Sequence, residues 1–137
     1  MNLLAFLVAS LALLPAVVTA DDLPLDRIRL PAGFSIELLA RVPNARQMAL
    51  GDCNILYVGS FRAGNVYAVP LDARYRARRV VVIASGLDMP VGVAWRQGSL
   101  YISAVDRILR LDRIGERLDN PSAPRPTPSI MQAASAR

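Results

Sequence analysis

Apolar and polar positions fall into short runs punctuated by turn residues, which is a strand pattern rather than a helical one. Phe34-Ser35-Ile36-Glu37-Leu38 alternates as a half-buried strand, after Leu30-Pro31-Ala32-Gly33, which has turn chemistry. Gln47–Leu50 predicts a short strand, and Gly51-Asp52-Cys53-Asn54 a turn into Ile55–Val58, whose apolar residues suit a strand covered on both faces. Phe61-Arg62-Ala63-Gly64 turns the chain into Asn65–Val69. Arg79–Ile83 carries three valines and an isoleucine, stiff β-branched residues that favour a strand. Val91–Trp95 and Ser99–Ser103, joined by Arg96-Gln97-Gly98, predict a hairpin, and Arg107–Leu111 a further strand. Leu111, Ile114 and Leu118 stand at helical spacing, so one or two helical turns are expected there.

These pieces repeat. Met48-Ala49-Leu50, Leu56-Tyr57-Val58-Gly59 and Asn65–Val69 match Val93-Ala94-Trp95, Leu100-Tyr101-Ile102-Ser103 and Arg107–Leu111, with Tyr57 and Tyr101 44 residues apart. A period near 40–45 with four short strands per unit is that of a β-propeller blade. The predicted fold class is all-β, namely the first two blades of a six-bladed propeller, incomplete in this chain. A small β-sandwich is the alternative.

The ends differ from the middle. Leu3–Val18 is apolar apart from Ser10 and Pro15, no charge precedes Asp21, and Val18-Thr19-Ala20 presents a cleavage site. Residues 1–20 are therefore expected to be a secretory signal peptide, with an uncleaved anchor as the alternative. The expected location is periplasmic or secreted, with no stable membrane anchor after cleavage. Residues 21–33 are a lead-in and residues 34–119 the partial propeller. Pro121, Pro124, Pro126 and Pro128 deny a sheet its donors, so residues 120–137 are expected to form a disordered Pro/Ala-rich tail. The portion after about Pro124 has the composition of a frameshifted or prematurely ended reading of a longer gene.

Composition removes whole classes of chemistry. The chain has 137 residues, no histidine, one cysteine and a formal charge of +5, with arginine as its only basic residue. Without histidine there is no Ser-His-Asp triad, no Cys-His dyad and no His-ligated zinc. One cysteine forms no internal disulfide, and Cys53 is expected to be a bystander thiol. Arg74, Arg76, Arg78 and Arg79 cluster around Tyr75 on a predicted connection. An exported protein meets little nucleic acid, so the cluster is expected to be a solvated loop and no nucleic-acid partner is expected.

Four stretches together resemble the soluble quinoprotein (PQQ-dependent) glucose/sorbosone dehydrogenase family: residues 30–36, 42–51, 83–94 and 106–110. Arg117-Leu118-Asp119-Asn120-Pro121 is most similar to the sorbosone-type branch. The resemblance implies an N-terminal fragment of an exported sugar or aldehyde dehydrogenase, with pyrroloquinoline quinone and calcium as the full-length family's cofactors. It implies a small sugar or aldehyde as substrate, and a histidine base lying beyond the matched region. This chain has no histidine, so it is expected to lack catalytic competence and to bind neither cofactor tightly on its own. A non-catalytic secreted NHL-like propeller or a small β binding protein is the alternative function. Three candidate cofactor-binding residues follow. Arg46, before the first inner strand, and Arg62, in the turn after Phe61, could meet anionic groups such as the quinone's carboxylates. Asp88, before the second inner strand, could accept a hydrogen bond at the pocket mouth. Surface arginines and a turn aspartate are the plain alternatives.

Overall fold

The structure is a computed structural model that describes residues 23–127. The expected signal peptide and the last ten residues of the expected tail lie outside the described residues. The chain divides into two compact units, Met1–Glu37 and Leu38–Arg137.

The described part of the first unit holds a single 3-10 turn, Leu25–Arg27. The predicted turn near Pro31 forms one residue later than expected. The Phe34 amide donates to the Pro31 carbonyl, and Gly33 supplies the left-handed φ of 87°. The strand expected over Phe34–Leu38 is absent, and Phe34 is 72% exposed. Its alternation is genuine, but no described strand pairs with it.

The second unit is all-β. Four strands, β1 (Ala45–Leu50), β2 (Ile55–Ser60), β3 (Val66–Pro70) and β4 (Val81–Ala84), form one antiparallel sheet in sequential order. Four more, β5 (Gly92–Arg96), β6 (Ser99–Ser103), β7 (Ile108–Asp112) and β8 (Arg125–Pro126), form a second sheet in the same order. β2 and β6 start 44 residues apart, at 55 and 99, as do β4 and β8, at 81 and 125.

Turn chemistry fixes the registers. Cys53 and Asn54 both take left-handed φ, 56° and 55°, between β1 and β2. Asparagine accommodates this readily. Gln97 and Gly98, at φ 49° and 77°, make the two-residue turn whose twist matches a hairpin. Arg96 then faces Ser99 and Val93 faces Ile102.

β8 corrects the expectation of disorder from residue 120 onward. Leu109 faces Pro126 and Arg110 faces Arg125 at the sheet's margin. Pro126 has no amide to give, yet the next residue has one, and Thr127 donates to the Ile108 carbonyl at 2.8 Å. An edge position tolerates that missing donor.

The main core lies between the sheets. Ile55, Tyr57, Val66, Ala68 and Ile83 of the first sheet meet Val93, Leu100, Ile102, Leu109 and Leu111 of the second. The opposite face of the first sheet, Val58, Tyr67 and Val69, is covered by Ala40, Val42, Leu71 and Ala77. β2 is thus buried on both faces, as its continuous apolar run predicts. Ile114 and Leu118 close one end of the inter-sheet core, the former from a 3-10 turn over Ile114–Glu116.

Candidate functional site

The connections at one end of the paired sheets are laced together by main-chain hydrogen bonds. Phe61 N–H donates to the Asn44 carbonyl (3.1 Å), Ser60 N–H to Pro90 (3.0 Å), Leu87 N–H to Gly64 (3.0 Å) and Val105 N–H to Asp88 (3.2 Å). These bonds join the entry to β1, the β2–β3 turn, the β4–β5 connection and the β6–β7 turn into one rim. Gly59 permits the approach. A Cβ there would sit 2.4 Å from the Val91 carbonyl oxygen and 2.6 Å from that of Pro90. Within the β2–β3 turn, Ser60 Oγ donates to the Asn65 carbonyl at 2.6 Å and accepts from its amide at 3.1 Å.

All three sequence-predicted residues lie on this rim. Arg46 and Arg62 converge on one aromatic ring, their guanidinium carbons 5.9 and 5.7 Å from the Phe61 centroid. Each contact is a cation–π interaction of about 0.5–1 kcal/mol at an exposed site. Both arginines are exposed, and neither forms an ion pair among the described residues. Asp88 is not brought to them. It lines a separate cleft of about 340 Å³ with Asp106, Arg107 and Leu109. Arg107 grips Asp106 through two nitrogens, and those hydrogen bonds hold the Asp106 carboxyl below the usual carboxylate range.

Phe61 is what the sequence reading missed. Its chemistry looked like part of a turn, and only the fold shows that residues 46 and 62 flank it. The basic loop behaves as expected of a solvated connection. Asp72 accepts the amides of Arg74 and Arg76 at 2.8 and 2.9 Å, and its carboxyl is held below its ordinary range chiefly by those bonds. Arg79 leaves the cluster to pair with Asp119. Cys53 is exposed in its turn.

The site therefore combines an exposed aromatic flanked by two cations with a neighbouring acidic cleft. Such a rim can take an anionic or planar ligand. Among the described residues, no group of three or more His, Cys, Asp or Glu comes together to hold a metal. No helix there is long and apolar enough to cross a membrane.

No protein-family model matches the chain, and no solved structure matches it. It is similar to an uncharacterized protein of Borreliella burgdorferi, 23% identical over 115 residues. That match covers 82% of this chain but 29% of the relative, so the chain spans under a third of the longer protein's length.

Proposed function

We propose that the chain supplies two neighbouring blades to a longer exported β-propeller, with the Arg46–Phe61–Arg62 rim and the Asp88 cleft on its ligand-facing end. One observation carries this reading. The second sheet covers the Tyr57 and Val66 face of the first, and the repeat-equivalent face of the second sheet carries Tyr101 and Ile108. There Ile108 is 46% exposed and Ala94 and Ser103 are exposed. A face buried in one repeat and open in the next is what a further blade would cover. The greater length of the Borreliella burgdorferi relative supports the same reading.

The resemblance to sorbosone-type dehydrogenases extends the proposal to a quinoprotein lineage, with a sugar or aldehyde as the substrate of the whole protein. Arg46 and Arg62 suit the carboxylates of a quinone cofactor. The remaining donors do not fit. The chain has no histidine for proton abstraction, and the described residues gather no carboxylate cluster for calcium.

The test is light scattering behind size-exclusion chromatography on the full chain and on Ile108→Lys. The open face should make the parent chain associate with rising concentration, and a lysine on that face should lower the association. Equal behaviour of the two chains would remove the open face as a blade contact.

A further inference from the structure

We infer that the far end of the second sheet holds a binding site for a tetrahedral oxyanion, a phosphate or sulfate group carried by a small ligand. The site is independent of the rim and of the propeller reading. Arg110, Asp112, Arg113, Arg117, Ser122 and Arg125 line a cavity of about 170 Å³ at the end of β7 away from the rim. For scale, a cavity of about 150 Å³ holds one benzene-sized molecule. A phosphate group with a few waters fits, whereas an extended polyanion would only pass across the mouth.

The charge balance points to an anion. Four arginines face one carboxylate, and that carboxylate is already engaged. Asp112 takes Arg110 at 2.9 Å and accepts the Ser99 hydroxyl at 2.8 Å. Arg113 and Arg117 have no side-chain hydrogen bond or ion pair to a described residue, and Arg125 has only the charge of the shared Asp112 within reach. Arg110 and Arg125 are direct cross-strand neighbours, an arrangement of like charges that destabilises a sheet by itself. An anion between them reverses the sign of that interaction.

The scaffold fixes the backbone that carries Arg113 and Arg117. Arg113 sits at a left-handed φ of 50°, an uncommon conformation for a side chain of its size. Its amide donates to the Gly98 carbonyl, and its own carbonyl accepts from Glu116. The 3-10 turn beyond it is anchored by buried Ile114, with Leu118 buried just after Arg117. Guanidinium forks arriving from three chain segments suit the several oxygens of a tetrahedral group better than the two of a carboxylate. The Ser122 hydroxyl adds a further donor.

The full chain is titrated with inorganic phosphate at constant ionic strength, by calorimetry and thermal melting. Saturable binding is expected. Arg117→Gln/Arg125→Gln should weaken it at least about tenfold, since each removes a charged hydrogen-bond donor. Arg74→Gln/Arg78→Gln removes the same charge from the loop after β3 and should bind phosphate like the parent. Equal loss in both double variants, or no saturable binding by the parent chain, overturns the site. A measurement without variants guards against misfolding: phosphate should protect Arg113 and Arg117, but not Arg74 and Arg78, from phenylglyoxal. Uniform protection overturns the proposal. Sedimentation with phosphatidylglycerol vesicles separates the sources of phosphate. Vesicle binding that free phosphate fails to compete assigns the arginines to a membrane surface and overturns the small-ligand site.

Discussion

Tyr57 combines a good fit with an unmet need. Its ring stacks on Trp95 with centroids 5.0 Å apart and planes 14° from parallel. A Cβ on Gly51 would strike that ring at 2.5 Å, so glycine is required there. The hydroxyl, however, is buried with no hydrogen-bond partner among the described residues. Burial, assisted by the charges of Asp52 and Cys53, pushes the phenol well above its ordinary value, so it stays neutral and protonated. An unsatisfied buried hydroxyl costs about 1–3 kcal/mol. Tyr57→Phe keeps the stack and removes the orphan, so it should leave thermal stability unchanged or raise it. A clear fall in melting temperature would show that the hydroxyl has a partner in solution. The sequence presents Tyr57 and Tyr101 as equivalents. Their opposite fates, one sealed in the core and one half-buried, depend on which sheet covers which face.

At the scale of elements, the strands were legible wherever apolar pattern and turn chemistry agreed locally. β2 has a continuous apolar run behind an Asp-Cys-Asn turn, and β5 and β6 flank Gln97-Gly98; all three stand within about two residues of expectation. Phe34–Leu38 had the alternation but no partner strand, and alternation alone cannot supply one. β8 had the partner but no pattern, because two residues including a proline carry no period. The helical spacing of Leu111, Ile114 and Leu118 foretold a real feature, since all three are buried where the short turn caps the core. Truncating Ile114 to alanine should leave a cavity there and cost about 2–5 kcal/mol in denaturant unfolding. A loss within about 0.5 kcal/mol, the range of surface substitutions, would mean that the turn does not seal the core.

For the whole molecule, the places of single residues were legible in the sequence but the contacts between them were not. Arg46, Arg62 and Asp88 were singled out by their places before or after predicted strands, and the fold puts all three at one end. That Phe61 joins two of them, and that Asp88 belongs to another cleft, depends on contacts between segments distant in sequence. The arginine cavity was less visible still, since its residues come from β7, a turn and β8. With pyrroloquinoline quinone, calcium, an aldose and a dye acceptor, the chain should give no turnover above blank. The absent histidine base alone accounts for about 10²–10⁴-fold in rate. Cofactor-dependent dye reduction would contradict this.

The packing of the two sheets also constrains symmetry. Val93, Leu100 and Ile102 of the second sheet rest on Tyr57 and Val66 of the first, so the contact joins two unlike surfaces. A two-fold dimer requires each patch to match itself, whereas a contact between unlike patches propagates head to tail. Copies meeting through this geometry therefore form either a ring that closes after a fixed number of units or a filament with no natural end. Here the corresponding outer face of the first sheet, Val58, Tyr67 and Val69, is already covered by Ala40, Val42, Leu71 and Ala77. The open Tyr101 and Ile108 face can therefore meet only its own kind, and self-association through it should yield a single two-fold dimer rather than a ladder of masses.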